Sequence, residues 1–262
     1  MSSSSLSSSV QPYSALARIY DDVMAHVDYP RWARFVLDVL NSHGLPSPNT
    51  KSPPNILECA CGTGSITVLL TLYGYQLEAF DRSAEMVEIA RRKAAGLRHT
   101  PRFFTADFNN FETASAFDAV LCLYDSVNYM LTEDALCAYF ERVRKVVKVK
   151  CLFLFDVCTD INSRLHFTDR CETGQGKDYH YVRKMQYDSV SMMQENRFEI
   201  TLAGQPEPLI EIHRQRIYRL SEIEKQLIRA GWSILEKTDE YRRQPAHKNS
   251  MRVHFLCRPK AI

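Results

Sequence analysis

The sequence predicts an α/β protein in which a seven-stranded, mostly parallel sheet has helices on both faces and carries a small antiparallel β insertion. Three observations support this fold class. Apolar strands alternate with helical segments over residues 55–158, three extended segments with no helix between them follow within 160–218, and a helix and two strands end the chain. Strands separated by helices of this length are typical of a parallel sheet.

The N-terminal part is predicted to be a tail followed by two helices. Residues 1–12, which begin MSSSSLSSSV, are polar and are expected to form a disordered Ser-rich tail. Over residues 15–40 apolar side chains recur at helical spacing, and Pro30 falls near the start of the second helix. The Pro-rich residues 43–55 are predicted to be a linker.

The alternating part predicts five strands, which are NILECA, QLEAFD, RFFTAD, FDAVLCLYD and CLFLFDVC. Helices are predicted at 65–73, 83–95 and 133–147, with Ser83 as a helix cap. Beyond residue 160 the extended segments are DYHYVRKMQYDSV, SMMQENRFEITL and LIEIHRQRIYRL, with Gly174 and Gly176 marking turns. A helix at 221–230 and the strands WSILEKTDEY and SMRVHFLCR complete the sheet.

Composition limits the class of protein. The 262 residues are 45% hydrophobic, and 33 Lys and Arg oppose 31 Asp and Glu, so the formal net charge of +2 gives no general attraction to nucleic acid or anionic lipid. No apolar run approaches the roughly 20 residues of a membrane helix, and MSSSSLSSSV lacks the basic start and the apolar segment of a signal peptide, so export is not expected. The eight cysteines include no CxxC pair, which favours free thiols in a reducing cytoplasm and no metal site.

A glycine-containing turn follows the first strand in the stretch ECACGTG. Gly62 and Gly64 permit positive φ angles and close backbone approach, so a ligand can lie across the turn near the amides of the next helix. A purely structural turn would have the same appearance.

Two further strand ends carry acids. Asp81 ends the second strand, where its carboxylate can accept hydrogen bonds from ribose hydroxyls. Asp107 follows the third strand, where it could accept from an adenine amine while Phe108 lies beside the ring. Each acid alone could be a helix cap or a solvated loop residue, but three successive strand ends together indicate a nucleoside pocket.

Four stretches resemble the motifs of class I S-adenosylmethionine-dependent methyltransferases, namely ILECACGTG, LEAFDRSAEMVEIAR, FFTADF and FDAVLCLYDSVNYM. YSALARIYDDVM and RLSEIEKQLIRAGW also resemble small-molecule members of this class. The resemblance implies a Rossmann-like fold, a methyltransferase domain over 13–159 and 219–262 with an N-terminal helical lid, and an insertion over 160–218 that covers the active site.

The resemblance also implies a site for S-adenosyl-L-methionine. Glu58 would orient the amino group of the methionine part, the backbone of Gly62 and Gly64 would line that part, and Asp81 would hold the ribose. Ala60 stands where the family usually has glycine. The remaining cofactor residues implied are Tyr20 on the lid, Arg82 and Met86 beside the adenosine, Asp107 and Phe108 at the adenine, and Leu123.

A dinucleotide-dependent dehydrogenase is the chemical alternative. Its GxGxxG fingerprint would need glycine at Ala60 and at Thr67. Glu58 inside the turn would repel a pyrophosphate but suits a cationic ammonium group. The charge therefore favours methyl transfer.

The fourth strand ends in LYDSVNYM, which in this architecture faces the transferred methyl group. Tyr124, Asp125, Asn128 and Tyr129 are therefore the candidate catalytic residues, although packing and turn formation would account for them equally well. The stretch is not the (Asp/Asn)-Pro-Pro-(Tyr/Phe) signature of amino-group DNA methyltransferases. Tyr13 on the lid, and His180 or His213 as a base from the insertion, are further candidates.

The predicted function is methyl transfer to a small-molecule acceptor, with nitrogen weakly favoured over oxygen because a neutral amine can attack without a base. An RNA- or protein-modifying methyltransferase and a non-catalytic nucleoside-binding protein of the same fold remain alternatives. The expected partner is the small-molecule substrate, without membrane or nucleic acid, and the sequence leaves a homodimer open.

Overall fold

The computed structural model of the protein describes residues 8–113, 116–205 and 207–260. Its α-helices are α1 (Tyr20–Val23), α2 (Tyr29–Ser42), α3 (Ser65–Leu72), α4 (Ala84–Ala94), α5 (Glu133–Lys145), α6 (Asp160–His166) and α7 (Leu220–Arg229). Short 3-10 helices span Leu16–Ile19, Ser126–Tyr129 and Glu240–Arg242. The strands are β1 (Ser8–Ser9), β2 (Asn55–Cys59), β3 (Gln76–Asp81), β4 (Arg102–Thr105), β5 (Phe117–Cys122), β6 (Val147–Cys158), β7 (Arg170–Gln175), β8 (Tyr179–Asp188), β9 (Met193–Leu202), β10 (Leu209–Arg216), β11 (Trp232–Asp239), β12 (Gln244–Pro245) and β13 (Arg252–Pro259).

The large sheet has the strand order β12-β11-β13-β6-β5-β2-β3-β4. Strands β2 to β6 are all parallel, and β13 runs antiparallel between β6 and β11. This confirms the predicted fold class, with the two-residue strand β12 added at one edge. Within the described part of the chain, no helix is long and apolar enough to cross a membrane.

The strand order reverses direction around β2, because β3 lies on one side of it and β5 on the other. At such a switch point the connections leave toward opposite faces of the sheet and open a crevice beyond the carboxyl ends of the strands. Both faces of the sheet are covered, and Ile56 and Leu57 of β2 and Phe153 and Phe155 of β6 are completely buried. The ligand crevice is therefore built on a rigid base.

The insertion forms a second sheet of strand order β1-β10-β9-β8-β7. The sequence predicted three extended segments there, and the structure adds a fourth strand, β7. Gly174 and Gly176 were both predicted to mark turns, but Gly174 lies within this strand. Gly174 pairs with Tyr181 in β8, whose ring atoms would lie 2.4 Å from a Cβ atom at residue 174. Glycine in this strand therefore makes room for a cross-strand aromatic ring.

The predicted boundary of the N-terminal tail at residue 12 is also wrong. Ser8 and Ser9 pair in parallel with Leu209 and Ile210, and the amide of Val10 donates to the Ile210 carbonyl at 2.9 Å. The open edge of β10 provides these partners, which polar composition alone does not indicate. The part of the tail prediction that concerns residues 1–7 lies outside the described residues.

Residues 13–23, here called the lid, pack against the insertion sheet. Leu16 and Ile19 share a buried apolar cluster with Phe198 and Ile200 of β9. On the other side, Ser83 at the start of α4 donates its hydroxyl proton to the Tyr13 carbonyl at 2.7 Å. The lid thus connects the insertion sheet to the carboxyl edge of the large sheet.

Candidate active site

A cavity of about 620 Å³ lies beyond the carboxyl ends of the parallel strands, beneath the lid and the insertion sheet. Its size falls within the usual range of small-molecule sites, about 300–1,000 Å³. The predicted cofactor residues that line it are Tyr20, Glu58, Ala60, Gly62, Asp81, Arg82, Met86, Asp107, Phe108 and Leu123. Of the predicted catalytic residues, Tyr124, Asp125 and Tyr129 line the same cavity.

The turn after β2 brings its backbone to the cavity wall. Ala60 and Gly62 both have a φ of 55°, and a Cβ atom at Gly62 would meet no atom within 4 Å. The backbone at Gly62 is therefore open on the side where a ligand can approach.

Gly64 was predicted to line the ligand, but the structure places it elsewhere. It precedes α3 with a φ of 76°, and a Cβ atom there would lie 2.8 Å from the Cβ atom of Ala90 in α4. Glycine at this position allows α3 and α4 to pack closely. Its role in the site is therefore indirect.

Asp81 holds the turn after β2 and the start of α4 together. One carboxylate oxygen accepts from the Gly62 amide and the other from the Ser83 amide, each at 2.9 Å. Burial raises the pKa of Asp81, while these amides and Arg82 oppose the rise. Each carboxylate oxygen retains acceptor capacity beyond one hydrogen bond, so Asp81 can also accept from ligand hydroxyls.

Glu58 is a buried acid at the end of β2. Its side chain accepts a hydrogen bond from Thr67 of α3. Burial raises the pKa of Glu58 to about 8, with the Thr67 hydroxyl lowering it and Asp81 raising it further. A cation in the cavity would favour the ionised form, because an opposite charge nearby lowers the pKa of an acid.

The wall beyond β3 and β4 is part polar and part aromatic. Arg82 Nε lies 3.8 Å from Asp107 Oδ2, a half-exposed pair. The Phe108 ring makes an edge contact with Tyr139, with 4.7 Å between the centroids, and Met86 is buried beside it on the cavity wall. The residues predicted to contact adenine therefore lie close together. Asp107 offers a carboxylate as acceptor, and Phe108 offers the face of its ring.

The chain is strained where β5 ends at the cavity. Tyr124 and Asp125 have φ angles of 61° and 50°, a conformation that costs on the order of 1–3 kcal/mol for a residue other than glycine. The buried carboxylate of Asp156 stabilises this turn by accepting from both amides, at 2.6 and 2.9 Å. Arg252 pairs with Asp156 and lies 2.7 Å from Asp125, so one guanidinium serves both acids.

Asn128 was predicted to be catalytic, but the structure gives it a structural position. It is completely buried, its amide group donates to the Arg216 carbonyl at 2.7 Å, and its oxygen accepts from the Cys158 amide at 3.1 Å. Both ends of the side chain thus join β6 and β10. It does not line the cavity.

The insertion sheet contributes cavity residues that the sequence did not single out. They include Arg183 of β8, Asn196 and Phe198 of β9, and Gln215 of β10. On β10 the buried side chains Glu211, His213 and Gln215 alternate with others, so the inward face of this strand is polar. Polar residues at a spacing of two on a strand's buried face are the signal that could have identified this wall.

Of the two histidine candidates, His213 lines the cavity and is 2% exposed, whereas His180 is exposed on β8. His213 is hydrogen-bonded on both sides, to Glu211 through Nε2 at 3.0 Å and to the Tyr129 hydroxyl through Nδ1 at 3.1 Å. The Tyr129 hydroxyl lies 2.6 Å from that of Tyr13. The lid, the end of β5 and the insertion sheet are therefore linked by one continuous chain of hydrogen bonds.

Comparison with known proteins points in the same direction. A family model described as a methyltransferase domain matches residues 56–150. A putative methyltransferase of Geobacillus sp. (strain WCH70) is 29% identical over 249 residues, covering 94% of this chain and 99% of that protein. The crystal structure of an S-adenosylmethionine-dependent methyltransferase from Clostridium acetobutylicum aligns with a TM-score of 0.81 and 26% identity, covering 95% of this chain and 99% of that one.

A partial match carries a more specific name. The dTDP-3-amino-3,6-dideoxy-alpha-D-glucopyranose N,N-dimethyltransferase of Streptomyces fradiae is 32% identical over 132 residues, which are 48% of this chain and 47% of that protein. The full-length matches, the family model and the strand-end carboxylates around the cavity agree with one another. Residues 56–150 therefore carry a methyltransferase domain, and the chain as a whole is similar to S-adenosylmethionine-dependent methyltransferases.

Proposed function

We propose that this methyltransferase transfers the methyl group to a small-molecule acceptor inside the 620 Å³ cavity, with nitrogen preferred over oxygen. The proposal rests on the observation that two different parts of the fold line the same cavity. The carboxyl ends of the parallel strands supply Glu58 and Asp81, and the insertion sheet supplies a separate polar wall. One compartment thus offers room for a nucleoside cofactor and for a second small molecule.

The residues present fit S-adenosyl-L-methionine. The open side of Gly62 leaves room for a ligand against the backbone. Glu58 would hold the cationic amino group, because it is a buried acid whose charge an adjacent cation would restore. Asp81 would accept from the ribose hydroxyls, and Asp107 with Phe108 would hold the adenine.

When bound, this cofactor supplies a methyl group on an electrophilic sulfonium, so the protein's tasks are alignment and exclusion of water. Tyr20 of the lid and Tyr129 after β5 are half-buried cavity residues that can exclude water from the space between cofactor and acceptor. Asp125, fixed by Arg252 and by a hydrogen bond of 2.8 Å from Gln215, would orient a polar acceptor. These roles require no movement of the large sheet.

A small acceptor is supported over RNA by the position of the basic stretch RVRKVVKVK. Its lysines Lys148 and Lys150 lie at the start of β6, whose other end is at the cavity. Nitrogen is supported by the partial match to an N,N-dimethyltransferase. We retain the domain division of the sequence analysis, in which residues 160–218 are an insertion that covers the active site, and propose that its polar wall binds the acceptor.

The experiment has two steps. Titration calorimetry with S-adenosylmethionine and S-adenosylhomocysteine measures cofactor binding. Transfer of a tritiated methyl group is then measured to a small-molecule cell extract, to total RNA and to a protein extract, each supplied separately. We expect binding of both nucleosides and labelling of the small-molecule fraction at acid-stable positions typical of amines. Labelling confined to RNA or protein would overturn the proposed acceptor class.

A further inference from the structure

Four side chains form a hydrogen-bonded chain that runs from the cavity into the insertion sheet. Tyr13, Tyr129 and His213 all line the cavity, and Glu211 is fully buried without lining it. The successive distances are 2.6, 3.1 and 3.0 Å. One end of the chain is a phenol at the cavity, and the other is a carboxylate within the protein.

The carboxylate at the inner end is ionised. Although burial raises its pKa, the hydrogen bonds from His213 and from the Leu16 and Tyr13 amides keep the pKa of Glu211 below its usual value. An ionised carboxylate can only accept hydrogen bonds, so His213 Nε2 carries a proton. Glu211 thereby fixes the tautomer of the imidazole, as the acid does in a serine-protease triad.

The direction of the remaining hydrogen bonds follows from this tautomer. In neutral His213 the other nitrogen, Nδ1, has a free lone pair, so the Tyr129 hydroxyl donates to it. The Tyr129 oxygen then accepts from the Tyr13 hydroxyl. Tyr13 Oη is left with its lone pairs as acceptors, at the end of a chain in which every other donor is already used.

The two tyrosines are neutral. Burial raises the pKa of Tyr13 well above its usual range, with further increases from Tyr129 and from two acids, and burial likewise raises the pKa of Tyr129. A neutral phenol can receive a proton on its oxygen while it passes on its own. Both hydroxyls can therefore conduct a proton without becoming charged.

We propose that Tyr13, Tyr129 and His213 form a proton relay that removes a proton from the nucleophile of the methyl acceptor, with Glu211 stabilising the protonated imidazole. This inference rests on the proposed function, because it concerns the same cavity. It narrows the acceptor to a nucleophile that enters with a proton to lose, namely a protonated primary or secondary amine or a hydroxyl. Tyr13 contacts the acceptor, and His213 acts through the two tyrosines.

The proton balance for an amine is as follows. The N–H bond of the bound ammonium breaks and its proton goes to Tyr13 Oη, while the Tyr13 proton passes to Tyr129 and the Tyr129 proton to His213 Nδ1. The electron pair left on the acceptor nitrogen forms the bond to the methyl carbon, and the carbon–sulfur pair stays on sulfur. His213 returns the proton to water by the reverse route after the product leaves.

Burial in a cavity lowers the pKa of a bound amine, which favours loss of its proton. Charged and titratable groups around the relay also influence the proton transfer, so none of them should be changed in the variants tested. They are Glu211, Tyr20 and Asp81, with Asp125 and Arg183.

The first test needs no acceptor. Nitrogen-15 NMR of histidine-labelled protein with S-adenosylhomocysteine bound reports the tautomer of His213 directly. We expect protonation at Nε2 and a hydrogen-bonded, unprotonated Nδ1, and we expect Tyr129→Phe to shift the Nδ1 signal selectively. Protonation at Nδ1 in the neutral ring would overturn the direction of the relay, even if the cofactor analogue binds normally.

The second test is the pH dependence of methyl transfer to the small-molecule extract under single-turnover conditions. At about pH 7 we expect Tyr13→Phe and His213→Asn to slow transfer about 100-fold, the usual contribution of a general base. For an amine acceptor the deficit should shrink towards pH 10, close to the pKa of about 10 of a free amine, because the acceptor then arrives neutral. For a hydroxyl acceptor the deficit should persist.

The controls separate the relay from a structural role and from the proposed function. His180→Gln, which removes an exposed histidine from the same sheet, should behave as wild type at every pH. The affinity of Tyr13→Phe for the cofactor, measured by calorimetry, should equal that of wild type. Equal rates for wild type and Tyr13→Phe at pH 7 would overturn the relay, whereas a wild type that binds no S-adenosylmethionine would overturn the proposed function itself.

Discussion

The carboxylate of Glu211 accepts a hydrogen bond of 2.6 Å from the backbone amide of Ala15, although 196 residues separate the two in the chain. The same side chain accepts from the amides of Tyr13 and Leu16, at 2.7 and 2.9 Å. A single buried acid on the insertion sheet therefore satisfies three backbone amides of the lid. Glu211 therefore holds the lid in its position over the cavity.

We expect Glu211→Ala to release the lid while the large sheet stays folded. Hydrogen bonds to a charged group contribute about 1.5–3 kcal/mol, so amide exchange over residues 13–19 should accelerate by about 10- to 100-fold. Hydrogen exchange followed by mass spectrometry measures this effect. Glu195→Ala, which removes an acid paired with Arg214 on the exposed side of the same sheet, is the matched control and should leave lid exchange unchanged. Unchanged exchange in Glu211→Ala would contradict the role of this acid.

Asp81→Ala should weaken S-adenosylmethionine binding by about 1.5–3 kcal/mol, because a charged acceptor for the ribose hydroxyls is lost. Calorimetry measures the affinity, and circular dichroism verifies that the turn held by Gly62 and Ser83 is intact. Asp38→Ala, at an exposed position of α2, serves as the control. An affinity equal to that of wild type would remove the ribose assignment.

The two glycines of the turn should respond differently to alanine. At Gly62 a methyl group meets open space on the cavity side, so Gly62→Ala should weaken cofactor binding more than it lowers stability. At Gly64 the methyl group would collide with Ala90, so Gly64→Ala should lower the free energy of unfolding by about 1–3 kcal/mol through overpacking. Calorimetry and urea denaturation of both variants form a matched pair, and the reverse pattern would refute the assignment.

Cofactor affinity should depend on pH through Glu58. Its pKa of about 8 in the free protein means that this acid is largely protonated at neutral pH, and a bound ammonium group favours its ionised form. Binding at about pH 7 should therefore release a proton, and affinity should rise by up to about tenfold per pH unit between about pH 6 and 8. Above that range the ligand's own α-amino group, with a pKa of about 7.7–8.0, loses its charge and the gain ends.

Calorimetry in buffers of different ionisation enthalpy measures the released proton. Glu58→Gln is the decisive variant, because it keeps the side chain's size and cannot titrate. It should bind more weakly at about pH 8 and should show no proton release from this site. Proton release that persists in Glu58→Gln would show that another group is responsible.

Arg252→Met should be strongly destabilising. Arg252 is the cation that pairs with both Asp125 and Asp156, and removal of one partner of a buried ion pair typically costs about 3–5 kcal/mol because uncompensated charge remains. Urea denaturation measures the loss, with Arg34→Met at an exposed position of α2 as the control. A loss below about 1 kcal/mol, the scale of a surface pair, would contradict this account of the strained turn.

The sequence predicted the large sheet well because its strands and helices alternate with distinct hydrophobic periods. It also predicted which strand ends meet, since the carboxyl ends of parallel strands share one edge of a sheet. It did not distinguish Gly62 from Gly64, or Asn128 from Tyr129. The two residues of each pair belong to the same short motif. Only tertiary contacts, of Gly64 with Ala90 and of Asn128 with Cys158 and Arg216, determine which residue reaches the cavity.

The polar wall formed by the insertion sheet was missed for a different reason. Its polar residues come from β8, β9 and β10, and their positions depend on the register between antiparallel strands, which no short motif specifies. Burial of polar groups such as Glu211 and His213 is tolerated only because they satisfy one another and the lid. Such long-range pairing is invisible in a single sequence.

The shared apolar cluster of the lid and the insertion sheet also bears on protein engineering. Leu16 and Ile19 pack in one cluster with Phe198 and Ile200, so the lid and the insertion sheet form one cooperative unit. A chimera that exchanges only one of them with a relative would mismatch these side chains, whereas a joint exchange would retain them. Grafting of acceptor preference between relatives should therefore succeed only when both segments are transplanted together.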